Sequence, residues 1–131
     1  MAGAFGAHAL ASTLSERGAE VWDTAVLYHL VHALALVLVA ALLAGGSTST
    51  NTLQNDNDPA ALADSPGSAA PAGPVLAGWA FTAGILAFSG SLYGLALEGP
   101  GWLGPVTPLG GIGFIVGWLA LLWHGLTSTR V

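Results

Sequence analysis

Long apolar stretches alternate with polar ones along this chain, and three of the apolar stretches have the length of membrane-spanning helices. A helix needs about 20 residues to cross the hydrocarbon core of a bilayer. Residues 22–44, 76–97 and 106–126 meet that length, so the pattern predicts three full spans. Residues 1–14 are apolar but too short to cross, and they lack the positive start and cleavage site of a signal peptide. We interpret them as a short N-terminal partial helix.

The longest interruption of the apolar pattern is the stretch 45–75. It begins at Gly45-Gly46, is rich in Ser, Thr, Asn and Asp, and carries four prolines, Pro59, Pro66, Pro71 and Pro74. Proline interrupts helices, and this composition cannot bury enough apolar surface to offset the entropy of ordering. We therefore predict a mobile polar loop. The next connection, 98–105, is short enough to make an antiparallel hairpin, after which Pro108 is predicted in the first turn of the third span.

The composition fits a membrane protein and excludes several other classes. Of 131 residues, 53% are hydrophobic and 7% are charged, far from the balance of a soluble domain. Arg17 and Arg130 are the sole Lys or Arg residues, so the chain has no basic face for nucleic acid. The absence of cysteine excludes disulfides, thiolate metal sites and thiol catalysis. The sequence predicts an all-α integral membrane helical bundle, a single domain over 1–131 and a multi-pass protein of the cell inner membrane.

Two histidines lie inside the first span, where ionisable side chains are energetically expensive. We call side A the membrane surface near Arg17 and Glu20, and side B the opposite surface; one arginine on each side leaves the cellular orientation open. His29 and His32 are then about 10–15 Å below side A. Because the spans alternate in direction, polar residues of the other spans return to similar depth. The predicted intramembrane polar cluster consists of His8, Tyr28, His29, His32, Ser89, Ser91, Tyr93 and Thr107.

Helical geometry limits which members of this cluster meet. His29 and His32 are three residues apart, so they project from one helix face about 60° apart and can approach the same neighbour. Ser89 and Ser91 are two residues apart, about 160° round an α-helix. We therefore expect one of the two serines, and not both, to meet a histidine.

Several local motifs together resemble a known family. They are Gly-Ala-Phe-Gly-Ala-His-Ala-Leu at 3–10, Trp-x-Thr-Ala-Val-x-Tyr-His-x-x-His-Ala-Leu-Ala-Leu at 22–36, Phe-Ser-Gly-Ser-Leu-Tyr at 88–93, Leu-Gly-Pro-Val-Thr-Pro-Leu-Gly-Gly at 103–111 and Gly-Trp at 117–118. The set resembles the YgdD-type small membrane proteins, bacterial relatives of transmembrane protein 256. The resemblance implies a compact four-helix protein of the inner membrane with no established activity or cofactor. Few residues precede the first motif, so we expect the first of those four spans to be truncated here, and the stretch 45–75 to be an insertion.

Three chemical hypotheses for the polar cluster are open at this point. A metal site would use His29 and His32 with His8, Glu20 or Asp23, but histidines at this spacing supply two of the three or four ligands that zinc needs. A small oligomeric transporter or proton pathway would relay protons through His29 and His32. Hydrolysis would pair a serine with His32, but no buried acid is placed to orient the imidazole.

The sequence favours a simpler interpretation, a protein that is not an enzyme and holds no metal or cofactor. In this interpretation the polar cluster fixes the helix register, and the surface of the protein contacts the lipid bilayer, a membrane-protein partner or other copies of the chain. Hydrogen bonds between helices in a membrane are worth about 0.6 kcal/mol on average and up to roughly 2.

Overall fold

The helices of this protein form one antiparallel bundle. The computed structural model describes residues 3–4, 10, 13–51 and 71–128, and for 46–51 it describes the backbone alone. The helices are α1 (Glu16–Asn51), α2 (Ala72–Gly84), α3 (Gly90–Ala96) and α4 (Leu103–Ser128). A π-helical turn, Ile85–Ser89, joins α2 to α3. No strand occurs among these residues.

Three helical segments are long and apolar enough to cross a membrane. They are Glu16–Gly45, Ala72–Ala96 and Leu103–Ser128. This confirms the predicted all-α membrane bundle with three spans. The N-terminal partial helix predicted for 1–14 lies mostly outside the described residues; near its end, the N–H groups of Thr13 and Leu14 both donate to the carbonyl of Leu10 at 2.9 Å.

α1 is longer at both ends than the predicted span. It begins where the Ser15 hydroxyl accepts the N–H of Gly18 at 3.1 Å, the usual arrangement of an N-cap. It continues through Gly45-Gly46 to Asn51, so the prediction of a loop from residue 45 was wrong there. A glycine costs a helix only about 1 kcal/mol relative to alanine, and the first proline of the stretch is Pro59. Residues 52–70 of the predicted loop lie outside the described residues.

Prolines near the starts of α2 and α4 account for the other boundary differences. Pro74 is the third residue of α2 and Pro105 is the third of α4. The N–H groups of a first turn have no partner within the helix, so proline is tolerated there. The predicted loop therefore ends before Ala72, and Pro108 lies inside α4, not in its first turn as predicted.

α1 presents one stripe of side chains to the rest of the bundle. The stripe alternates spacings of three and four residues, which is the pattern of helices packed at a shallow angle. Its members are Trp22, Ala25, His29, His32, Leu36, Val39 and Leu43, all buried or half-buried. Leu34 and Val37, on the opposite face, are 71% and 66% exposed. Both candidate histidines thus belong to the packed stripe, while Leu34 and Val37 face the lipid.

Glycines bring α4 close to the second span. A Cβ atom on Gly110 would lie 2.7 Å from the Cα of Phe88, and one on Gly113 would lie 3.1 Å from the carbonyl oxygen of Ala80. Small residues at such positions let helix backbones approach in membranes. By contrast, the space around Gly90 is open, because a Cβ there would have no atom from another part of the described bundle within 4 Å. This leaves Gly90 available as a neutral reference position.

Candidate functional site

His32 lies at the centre of the bundle with both ring nitrogens hydrogen-bonded. Its side chain is 4% exposed. Nδ1 lies 2.8 Å from the carbonyl oxygen of Tyr28, which can only accept, so Nδ1 carries the proton. Nε2 is then the acceptor, and it receives the indole N–H of Trp118 at 3.3 Å. The ring is therefore neutral and links α1 to α4.

Aromatic rings surround the His32 imidazole. It stacks on Phe114 with ring centroids 3.5 Å apart and planes 9° apart. Phe81 of α2 lies 5.5 Å from the imidazole and 5.2 Å from the indole of Trp118. Pairs of this kind are worth about 0.5–1.5 kcal/mol beyond the area they bury. All three spans therefore meet at His32.

His29 makes a separate contact nearer side A. Its Nδ1 lies 3.3 Å from the hydroxyl of Tyr93 in α3. Trp22 packs against the Tyr93 ring with centroids 4.7 Å apart and is itself buried. The two histidines share a helix face as expected, yet they approach different helices. They do not converge on one ligand or one proton path.

Ser91 and Thr107 form a third polar contact, between α3 and α4. Their hydroxyl oxygens are 2.7 Å apart, and either can donate. Ser91 also lies 2.9 Å from the carbonyl oxygen of Phe88, and Thr107 lies 3.3 Å from that of Leu103. These carbonyls are ready acceptors, so the pair is satisfied without any other group.

Ser89 differs from the rest of the cluster because its buried hydroxyl has no hydrogen-bond partner. Neither Ser89 nor Ser91 bonds a histidine, so that expectation was wrong. The physical reason is the π-helical turn, which widens the helix at Ile85–Ser89 and changes the rotation of the residues that follow. Both serines are consequently buried, which a regular α-helix would not favour.

Tyr28 lines an open groove on the membrane-facing side of the bundle. Its ring lies 4.6 Å from Phe88 and 6.1 Å from Phe114, centroid to centroid. The groove has a volume of about 480 Å³, and its wall also includes His32, Gly111 and Trp118. It separates α1 from α4, which are not among the closely packed helix pairs of the described bundle. A second, smaller groove of about 270 Å³ is lined by residues of α1 and α2, all of them apolar except Thr82.

The predicted cluster therefore forms three separate polar contacts, not one site. Within the described residues, no group of three or more His, Cys, Asp or Glu side chains could hold a metal. His8 lies outside those residues, so its place in the cluster stays a prediction. The sequence-based prediction missed Trp118 and Phe114 as the neighbours of His32. Their spacing of four residues, on one face of an apolar helix, is the signal that could have indicated them.

Three apolar spans, packed through glycines and a buried His–Trp contact, define an integral membrane protein of the helical-bundle class. The family described as "Protein of unknown function (DUF423)" matches residues 2–111, and the chain belongs to this family. It is 39% identical over 124 residues to the UPF0382 membrane protein YwdK of Bacillus subtilis, covering 92% of this chain and 80% of the relative.

Staphylococcal proteins are similar to the same extent. The UPF0382 membrane protein SAB0533 of Staphylococcus aureus is 38% identical over 120 residues, covering 92% of this chain and 79% of the relative. The UPF0382 membrane protein SERP0230 of Staphylococcus epidermidis has the same identity and coverage. No solved structure matches the chain. These relatives are named membrane proteins, which agrees with the three apolar spans of this chain.

Proposed function

We propose that this chain is a non-enzymatic membrane protein that acts by binding at its membrane-embedded surface. The ligand is a lipid, a membrane-protein partner or another copy of the chain. The observation that carries the proposal is the state of His32, whose two ring nitrogens are both bonded inside the bundle. A general base or a metal ligand needs a free nitrogen within reach of its substrate or ion.

The polar contacts on side A also support binding over catalysis. A serine nucleophile needs an adjacent base and a group that orients the base. Ser91 is instead paired with Thr107, and the carboxylates of the described residues lie at helix ends or in the hairpin, at positions 16, 20, 23 and 98. The alternative of a transport pathway through His29 and His32 gains no support, since residues 33–44 are Leu, Val and Ala throughout.

We also propose, from the motifs described above, that the chain is a YgdD-type protein of the bacterial inner membrane. The open groove beside Tyr28 is a part of the described surface that is suited to bind a ligand. Ligand sites are concave, mostly apolar, and carry a few polar groups that fix orientation. The groove meets that description, because aromatic residues line it and Tyr28, which carries a hydroxyl, is among them.

Replacing His32 by leucine tests whether the histidine is structural. We expect His32→Leu to fold and to lose about 1 kcal/mol of unfolding free energy, because one hydrogen bond between helices and one ring stack are lost. Denaturation in detergent measures the loss. Leu30→Ala, at a lipid-facing position that is 58% exposed, is the matched control and should change stability little.

A double-mutant cycle and a cellular assay complete this test. Trp118→Phe should cost a similar amount, and the double variant should cost less than the sum because both changes remove the same bond. Any cellular phenotype should follow the amount of folded protein. If His32→Leu abolished the phenotype with the folded amount unchanged, the structural role of His32 would be wrong.

A further inference from the structure

The groove between α1 and α4 has a free hydrogen-bonding group inside the membrane. The polar side chains on its wall are Tyr28, His32 and Trp118. His32 and Trp118 bond each other, whereas the Tyr28 hydroxyl has no partner among the residues that the structure describes. Tyr28 lies five residues beyond Asp23, the last charged residue of α1, which is about 7.5 Å along the helix. The Tyr28 side chain is 41% exposed, so a ligand in the groove can accept a hydrogen bond from its hydroxyl and supply the missing partner.

The walls of the groove select for a flat ligand. Tyr28, Phe88 and Trp118 line it with partly exposed aromatic rings, whereas the Phe114 ring is buried against His32. Aromatic faces prefer stacked or edge-on rings. Gly111 leaves the wall open, because a Cβ there would meet only the Phe88 ring, at 3.8 Å. The volume of about 480 Å³ is within the range of ligand pockets.

Deepening the proposed binding function, on which this step rests, we propose that the groove binds the ring of an isoprenoid quinone. The quinone ring stacks on the aromatic side chains of the groove, and one quinone carbonyl accepts a hydrogen bond from the Tyr28 hydroxyl. The isoprenoid tail extends from the groove into the bilayer. An acyl chain has neither a ring to stack nor an acceptor for Tyr28. The proposal concerns binding and involves no electron transfer.

The test uses the full chain in phosphatidylcholine nanodiscs and a photoreactive azido-benzoquinone with an isoprenoid tail. Labelling is competed with unlabelled decyl-benzoquinone, and labelled peptides are mapped by mass spectrometry. We expect saturable labelling of the peptides that contain Tyr28 and residues 108–118. Tyr28→Phe keeps the ring and removes the hydroxyl, so it should weaken binding about fivefold, the effect of one hydrogen bond.

Two glycine variants test the shape of the groove. Gly111→Leu places a side chain in the groove and should abolish saturable labelling, whereas Gly90→Leu introduces the same side chain in open space and should leave it unchanged. Helical content and thermal unfolding of each variant establish that it is folded, and Tyr28→Phe keeps the test valid if Gly111→Leu does not fold.

Several outcomes would overturn the quinone proposal. They are labelling that does not saturate, labelling mapped to other peptides, and labelling that Tyr28→Phe leaves unchanged. The first outcome would mean that acyl chains fill the groove and the probe only partitions into the bilayer. Such a failure leaves the proposed function standing if His32→Leu behaves as expected above, so the two failures are distinguishable.

Discussion

Replacing Gly110 by alanine is expected to lower the unfolding free energy by about 3 kcal/mol, at the upper end of the usual cost of overpacking. Gly110 is buried, and an added Cβ would lie 2.7 Å from the Cα of Phe88. The obstacle is backbone, which cannot rotate away as a flexible side chain can. α4 must therefore move away from the π-helical turn, which loosens the Ser91–Thr107 contact and the stack on Phe114.

Denaturant titration in detergent micelles, followed by circular dichroism, measures this loss. Gly90→Ala is the matched control: it is the same substitution in the adjoining span, where the new Cβ has no atom from another part of the described bundle within 4 Å. We expect that control to be neutral or slightly stabilising, because alanine is the better helix former. Equal stability of the two variants would show that α4 does not approach Phe88 as described.

Replacing Phe81 by alanine is expected to cost about 2 kcal/mol. Phe81 is fully buried between His32 and Trp118. In water-soluble cores Phe→Ala costs about 3–5 kcal/mol. Here the surrounding lipid is as apolar as the core, so the transfer part of that cost falls away while the cavity and the lost ring contacts remain. Leu86→Ala, at a position 72% exposed in the same span, should change stability by less than about 0.5 kcal/mol.

A second substitution shows whether the Phe81 ring is where the structure has it. A Cβ on Gly117 would lie against that ring, so Gly117→Ala should destabilise the unmodified chain. In the Phe81→Ala background the ring is gone, and Gly117→Ala should then cost much less, because its methyl group enters the vacated space. If Gly117→Ala cost the same in both backgrounds, the Phe81 ring would not lie against Gly117 as described. The same denaturation assay measures both backgrounds.

The number of spans and their alternating directions follow from the sequence alone, because hydrophobic length is a property of the chain itself. The ends of the helices do not. Gly45-Gly46 resembles the end of a helix, but glycine only weakens a helix, and α1 continues to Asn51. Pro74 resembles a break, but it occupies a first turn, where proline is tolerated. The glycines were given too much weight as helix breakers, and the proline was interpreted without its position relative to the start of the helix.

The candidate site was predictable in depth but not in pairing. The sequence places His29, His32 and Tyr93 in one half of the membrane, and His29 does contact Tyr93. It does not reveal that His32 pairs with Trp118, because that pairing depends on how far each helix is rotated about its axis. The π-helical turn adds to the difficulty, since it changes the direction in which the side chains after Ile85 point around the helix axis. No period in the sequence signals such a turn.

The central claim is that His32 is a neutral packing residue with Nδ1–H donating to Tyr28 and Nε2 accepting from Trp118. ¹⁵N NMR of histidine-labelled protein in lipid nanodiscs at neutral pH tests it most directly, with His32→Leu used to assign the signal. The account predicts the tautomer with the proton on Nδ1, and a shift of the Nε2 signal in Trp118→Phe. A proton on Nε2, or a doubly protonated ring, would contradict it.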